Sequence, residues 1–448
     1  MGVMIIMEII DQALNILEEH KLCDNCLGRQ FALLGTKTSN AERGRSMKMV
    51  LTLIGHKCLT SNKARGENLL RRVAVNGFFT PASEILRTLG LELSIEGKCE
   101  ICEDVFLKKD EIARKIASEL ERYDFNNFLV GSKIPPRISE KEDALRSTFE
   151  INTGEALKAE LNREIGKILT VITGKNVEFD RPDILIVLEL EDLSVSIEIN
   201  PLFISGRYLK LVRGIPQTRW PCRECHGKGC ERCNGTGKMY LETVEEIIAK
   251  PVLEITEGEE SRFHGAGRED IDARMLGNGR RFVLEIKNPK RRNMNLKELE
   301  NIINARSEGK VRVLNLVFSN KEEVRRIKAS SQISSKTYSA LVELKDPVTL
   351  EKLEQLKTKF SGETIRQQTP IRVLHRRANL VRMKKIYKLD YKILNSNRFE
   401  LIIEGQGGLY IKELISGDEG RTEPSVSSIL NTEAKCLELD VIKADEQT

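Results

Sequence analysis

Across 448 residues, 72 lysines and arginines nearly balance 67 aspartates and glutamates, leaving a formal charge of +5. That length holds two or three domains with their own cores, and so even a balance confines any polyanion-binding surface to local patches. The apolar opening Met1–Ile6 is too short for a bilayer span and Glu8 and Asp11 follow at once, which argues against a membrane segment or a secretory signal and for a cytoplasmic protein.

A stripe of Ile9, Ile10, Ala13, Leu14 and Leu17 predicts a helix over 7–21. It runs into Cys23-Asp-Asn-Cys26-Leu-Gly-Arg29. Further helices are expected over 41–54, 63–76, 82–89 and 109–122, with a second pair, Cys99 and Cys102, among them. Of 10 cysteines only Cys58 and Cys436 stand outside C-x-x-C pairs. In an intracellular chain such pairs mean metal more often than disulfide. Two knuckles, Cys23/Cys26 and Cys99/Cys102, suit a tetrahedral structural zinc. Bringing them together closes a loop of roughly 70 residues at about 4 kcal/mol. Zinc on such thiolates supplies about 10–16 kcal/mol, enough to offset that closure.

The middle of the chain alternates strands and helices. Residues 125–134 predict a strand that stops at Pro135-Pro136, and 153–170 a helix. Strands are expected at 177–179 and 184–190, and 193–199 pairs back through Glu191-Asp192 as a hairpin. Arg207, Lys210, Arg213 and Arg219 then cluster with Tyr208 and Trp220 between them, cations and stacking aromatics of the kind that recognise unpaired RNA.

A second cluster, Cys222, Cys225, Cys230 and Cys233, has C-x2-C-x4-C-x2-C spacing in a stretch almost without apolar residues. Such a segment has no core of its own, so metal is its natural stabiliser. Its C-x-x-C-H-G-K-G run resembles the zinc repeats of DnaJ-type co-chaperones, whose several copies and His-Pro-Asp motif this chain lacks.

In the C-terminal half, Thr243-x-x-Glu246 is a capping box opening a helix that Pro251 is expected to stop. The stretch 264–281 then sets Glu269, Asp270 and Asp272 and four arginines among glycines that let a backbone approach a ligand. Asp270 has Arg268 and Arg274 nearby, and a carboxylate beside a guanidinium stays ionised, as a nucleophile or base must. Strands at 282–286 and 311–319 alternate with helices at 295–306 and 321–329, which reads as an α+β sheet domain. A strand from Lys336 offers Tyr338 for stacking. Between 364 and 389, Arg366, Arg372, Arg376, Arg377, Arg382, Lys384, Lys385 and Lys388 occur without one acid, a phosphate-binding patch. Finally a glycine cluster at 405–408 leads into Tyr410, Ile411 and Lys412, expected on one short strand.

Two resemblances gather these pieces. Residues 128–138 and 177–210 resemble a THUMP domain, an RNA-binding module of tRNA-modifying enzymes. Gly267–Asp272, Lys336–Tyr338, Gln367–Ala378 and Gly408–Ile415 stand in the order found in pseudouridine synthases. With both cysteine clusters, the chain resembles the archaeal-type tRNA pseudouridine synthases acting on uridines 54 and 55 of the TΨC loop.

The resemblance implies a zinc-binding accessory domain with a THUMP-like module over 1–210, a four-cysteine zinc knuckle over 211–240, and a mixed or antiparallel-sheet pseudouridine synthase domain over 241–448. It implies Asp270 as the catalytic aspartate with Arg268 paired to it, and Tyr338, Tyr410, Ile411 and Lys412 at the uridine, Tyr410 packing on the base. Ile429 or Leu430 would supply the apolar wall, and Asp272 neighbours the motif without fitting it. It implies tRNA as substrate, structural zinc, no catalytic cofactor, no membrane and no obligatory protein partner. The alternative is a non-catalytic zinc-containing RNA-binding protein, which needs everything here except Asp270.

Overall fold

The computed structural model describes residues 2–330 and 334–444, which divide into two compact units, Met1–Asn200 and Pro201–Thr448. The boundary expected at 210 is corrected to 200, because Leu202–Lys210 is a strand of the second unit's sheet. Among the described residues no helix is long and apolar enough to cross a membrane.

The first unit is built around its first cysteine cluster. The helix Gly2–Glu19 leads into a short helix Asp24–Arg29, whose N-cap Cys23 accepts a hydrogen bond from the Cys26 N–H through its sulfur. The long helix Asn40–Ser61, opened by a Ser39–Glu42 capping box, crosses it at very close range. A Cβ on Gly28 would lie 1.9 Å from the Asn40 carbonyl oxygen and one on Gly44 2.0 Å from that of Asp24, so both positions require glycine. Buried Lys48 then ties the crossing, donating to Asp24 at 2.7 Å and to the carbonyls of Leu22 and Gly77.

Strands β1 (Asn127–Lys133), β2 (Asn176–Val177), β3 (Ile184–Glu189) and β4 (Ser194–Ile199) form a small sheet in the order β2-β1-β3-β4. β1 runs parallel to β2 and β3, and β3–β4 is the expected hairpin. The proline pair that ends β1 also starts a helix, Pro136–Thr148, with Pro136 in the first turn where its missing N–H costs nothing. Arg29 links this layer to the cysteine cluster. Its fully buried guanidinium donates to Glu142 at 2.8 Å, Glu160 at 3.0 Å and the Cys26 sulfur at 3.5 Å.

The second unit is one ten-stranded mixed sheet. Its strands are β5 (Leu202–Lys210), β6 (Glu260–Gly265), β7 (Ala273–Lys287), β8 (Val311–Ser319), β9 (Ser335–Leu344), β10 (Thr364–Gln368), β11 (Val381–Ile393), β12 (Arg398–Gln406), β13 (Thr422–Glu423) and β14 (Ala434–Ala444). They run β13-β10-β11-β12-β9-β14-β7-β5-β8, with β6 on β7. Neighbours pair antiparallel except β14 and β7, which are parallel. β14 therefore joins two antiparallel halves.

Two expectations shift here. β7 is far longer than 282–286, because Gly277 and Gly279 broke the apolar pattern without breaking the strand. Both have positive φ, and a Cβ on Gly277 would meet the Ile442 carbonyl oxygen of β14 at 1.8 Å. The helix capped by Thr243 also continues through Pro251 to Thr256. Val244, Ile248 and Val252 are buried against the sheet, and that packing outweighs the hydrogen bond a proline removes.

Replacing Arg29 by Met would leave buried Glu160 without its ion-pair partner and Glu142 with Arg146 alone. The expected loss is about 3–5 kcal/mol, seen as an earlier unfolding transition in denaturant titration of the whole protein.

Candidate active site

The loop 266–272 joins β6 to β7; Ala266 packs on Val283, Val324 and Ile327, and the residues that follow are fixed from below by charge. Glu269 points inward and is buried. Its carboxylate accepts from the Tyr208 hydroxyl at 2.9 Å and from Arg280 Nε at 2.9 Å. Arg280, from β7, also donates to the Ala266 carbonyl at 2.9 Å. Burial and the Glu269 charge together raise the Tyr208 pKa well above the usual phenol value, so it stays a donor. Lys210, with its whole side chain buried, donates to the carbonyls of Ile215, Asp270 and Ile271 at 3.0–3.1 Å. That burial depresses its pKa. Tyr208 and Lys210 are thus supports of the loop, which corrects their expected place on an exposed RNA-binding stretch. Arg213 likewise binds the Asp272 and Leu439 carbonyls and pairs with Asp440 at 2.8 Å.

With Glu269 turned in, Asp270 faces outward, about one third exposed. Its ion pairs come from across the cleft: Arg372 at 3.1 Å and Lys412 at 3.8 Å. Arg274 is drawn away into a two-pronged pair with Asp440, at 2.6 and 3.0 Å. Arg268, expected beside Asp270, sets its guanidinium over the Trp220 ring, 5.4 Å from the centroid. Arg372 is itself held by Glu413 at 2.6 Å. Burial penalises its charge, but Glu413 and Asp270 outweigh that and raise its pKa. Lys412 reaches Asp272 at 2.5 Å. Glu413, Arg372, Asp270, Lys412 and Asp272 form one alternating chain of charge.

Tyr410, Ile411 and Lys412 are not on a strand. Gly408, at φ +84°, turns the chain out of β12, Tyr410 becomes an N-cap, and Ile411–Ser416 is a helix. Ile411, Leu414 and Ile415 recur at helical spacing and are buried. Buried Gln367 clamps the Tyr410 backbone, donating to its carbonyl and accepting from its N–H, each at 2.9 Å. Arg377 donates to the Tyr410 hydroxyl at 2.8 Å.

These groups line a cleft of about 890 Å³. Arg268, Asp270, Tyr338, Tyr410, Ile411 and Lys412 all border it, as do Arg377, Arg382 and Lys384 from the basic stretch. Burial pushes the Tyr338 pKa up to about 12. The apolar wall comes from Leu439 and Val441 of β14 with Val373, Met383 and Leu409. Ile429 and Leu430 do not line it; Leu430 is buried in the core instead. Sequence reasoning missed Glu269, Arg280 and Gln367 as supports and took Arg372 only as a phosphate cation. Glu269 and Arg280 meet 11 residues apart across the loop, and the other partners, Tyr208, Tyr410 and Asp270, lie further along the chain, so no helix or strand spacing signals them.

Both cysteine clusters assemble. The sulfurs of Cys23, Cys26, Cys99 and Cys102 lie within 4.8 Å of one another, as do those of Cys222, Cys225, Cys230 and Cys233. None of the ten cysteines is in a disulfide. Backbone N–H groups aim at the sulfurs, from Cys23 to Cys99 at 3.3 Å and from Gly229 to Cys225 at 3.1 Å, which suits thiolates. Each cluster could hold one metal ion.

Asp270 is thus set among cations of the cleft lining. Residues 203–445 match the family model described as "Pus10, C-terminal", and 112–189 that of the archaeal Pus10 THUMP domain. A protein of Methanocaldococcus jannaschii named tRNA pseudouridine synthase Pus10 is 46% identical over 98% of this chain and 94% of its own length. Proteins with that name from Methanothermobacter marburgensis and Pyrococcus furiosus are 42% and 39% identical, over 98% and 97% of this chain and 99% and 97% of their own lengths. The chain belongs to the Pus10 family.

Burial alone would raise the Asp440 pKa, but Arg274 and Arg213 outweigh it and the net shift is downward. A depressed carboxylate stabilises the fold above its unfolded pKa, about 3.9, and that contribution disappears as pH falls through the folded value. Asp440→Asn is therefore expected to be less stable than wild type at pH 7, with the gap closing below about pH 4, read from denaturant midpoints at the two pH values.

Proposed function

We propose that this chain isomerises uridine to pseudouridine in the TΨC loop of tRNA, at positions 54 and 55, with Asp270 as the catalytic carboxylate. The observation that carries the reading is Asp270 itself, exposed to the cleft while its neighbour Glu269 is buried, with Arg372 and Lys412 facing it. The full-length relatives named as tRNA pseudouridine synthases support the substrate.

The chemistry fits the residues. The N1–C1′ bond breaks, uracil turns, C5 bonds to C1′, and the C5 proton is lost as N1 gains one. Reactant and product contain the same atoms, so no group donor is consumed. Asp270, faced by Arg372 and Lys412, attacks the nucleotide or takes a sugar proton. Flipping the nucleotide out of its stack costs a few kcal/mol, and stacking on Tyr410 returns about 1–3 kcal/mol. The Arg377 bond to the Tyr410 hydroxyl holds that ring in place. Tyr338, Leu439 and Val441 give the base a dry wall. Arg382 and Lys384 meet the phosphates on either side. The THUMP-like module in the first unit holds the body of the tRNA. The reaction runs in the cytoplasm, where tRNA is modified, and needs no protein partner.

We also propose zinc in both clusters. A zinc–sulfur bond of about 2.3 Å places tetrahedral sulfurs about 3.8 Å apart. The sulfurs of Cys222 and Cys230 lie 3.8 Å apart, as do those of Cys225 and Cys233, and those of Cys23 and Cys102 lie 3.6 Å apart. Zinc there holds loops together and stands outside the reaction. Elemental analysis of purified protein should find two zinc ions per chain, falling to one in Cys99→Ser.

The function is tested on an unmodified tRNA transcript by carbodiimide labelling and primer extension. Wild type should mark the T-loop uridines, and Asp270→Ala should bind the tRNA but leave no mark. Binding without pseudouridine from either protein would identify a silent RNA-binding protein instead. A mark that survives in Asp270→Ala would move the role to Asp272.

A further inference from the structure

The second cysteine cluster lies in the same unit as the candidate active site, and one short connector joins the two. Residues 214–220 run beside the loop 267–271. The Gly214 N–H donates to the Ile271 carbonyl at 2.9 Å. The Ile215 carbonyl accepts from the same Lys210 ammonium that grips the Asp270 carbonyl. Buried Gln217 donates to the Gly267 carbonyl at 2.9 Å and to the Tyr208 hydroxyl at 2.6 Å. Trp220 closes the run beneath the Arg268 guanidinium.

Immediately after Trp220 the knuckle begins. Pro221 bridges Lys238, and the Met239 N–H donates back to the Trp220 carbonyl at 3.0 Å. The Tyr240 ring meets Trp220 edge-on at 5.7 Å. Both ends of the metal loop are thus stapled at Trp220, and Trp220 faces the residue two before Asp270.

We propose that Trp220 is a positioning residue: it transmits the ordered state of the Cys222–Cys233 knuckle to the Arg268-Glu269-Asp270 loop, so that metal at the knuckle sets the aim of Asp270. The knuckle has little apolar content, so without metal its ends are free to separate. Tyr240 then leaves Trp220, and Arg268 loses the ring under it. The connector's grip on Gly267 and Ile271 loosens in turn. This rests on the assignment of Asp270 as the catalytic carboxylate.

Trp220 is the chain's one tryptophan, so fluorescence excited where tyrosine does not absorb reports the surroundings of this residue. The test compares wild type, Cys230→Ser, Trp220→Leu and Trp220→Phe, each with its zinc content and far-ultraviolet dichroism measured. Cys230→Ser should lose one zinc and shift the Trp220 emission to longer wavelength. Its kcat on tRNA transcript should fall about tenfold with KM within about twofold, the pattern of a misaimed group rather than a lost RNA contact. Trp220→Leu should keep both zinc ions and lose about tenfold in kcat, near the worth of one partly desolvated cation–π contact. Trp220→Phe should recover most of that loss.

A wild-type kcat in Trp220→Leu would overturn the proposal, and so would an emission shift in Cys230→Ser with kcat intact. A rise in KM alone would also overturn it, because the knuckle would then be an RNA-binding arm. If Cys230→Ser does not fold, Trp220→Leu with its zinc intact decides the matter. If wild type makes no pseudouridine, the functional reading falls instead, and the emission of Cys230→Ser still decides whether knuckle and loop are coupled.

Discussion

The second unit depends on one buried ion pair. Glu269 and Arg280 meet at 2.9 Å with almost no exposure to water, and Tyr208 closes the remaining side of the carboxylate. Taking both charges out of water is expensive, and an apolar pair of the same volume would stabilise the fold as well or better. What the ions add is direction. A carboxylate that must reach Arg280 and Tyr208 at once has one orientation, and that orientation leaves the next residue, Asp270, facing the cleft. A greasy anchor would fix the loop's depth but not its facing. Lys210 completes the constraint, since its three carbonyl acceptors include that of Asp270.

The opposite wall is organised by the same means. Gln367 fixes the Tyr410 backbone, and the helix that Tyr410 caps delivers Lys412 and Glu413 to the cleft. Glu413 holds Arg372, and Arg372 holds Asp270. Loop and helix therefore meet through alternating charges instead of a packed seam. Charges of this kind exchange partners readily with a polyanion, because a phosphate can replace a carboxylate at Arg372 or Lys412 without changing either side chain's place. The cleft is held in shape by ion pairs between the charged groups around it.

Much of this was legible in the chain. The cysteine spacings, the hairpin at 184–199, the basic stretch and the loop around Asp270 each depend on neighbours in sequence, and local pattern carries such information well. What failed depends on partners remote in sequence. Tyr208 and Lys210 read as RNA-facing because tyrosine and lysine usually face water; only the arrival of Glu269 and of the loop carbonyls makes their burial tolerable. Tyr410–Lys412 read as a strand after its glycines, yet the buried trio Ile411, Leu414 and Ile415 finds its core only in the helical form. Pro251 read as a stop because its missing hydrogen bond is local, whereas the burial of Ile248 and Val252 that outweighs it is not. Leu439 and Val441 carry no motif at all. They line the cleft because β14 lies between β7 and β9.

That placement of β14 has a consequence in time. Among the described residues, strands β5 to β8 on one side and β9 to β13 on the other share no hydrogen-bonded strand except β14. During synthesis each half can pair internally as it leaves the ribosome, but the loop of Asp270 belongs to one half and the helix of Lys412 to the other. The two faces of the cleft come into register only when residues 434–444 have emerged and slid between them. A chain short of that point has the loop of Asp270 on one half-sheet and the helix of Lys412 on the other, with no strand to join them.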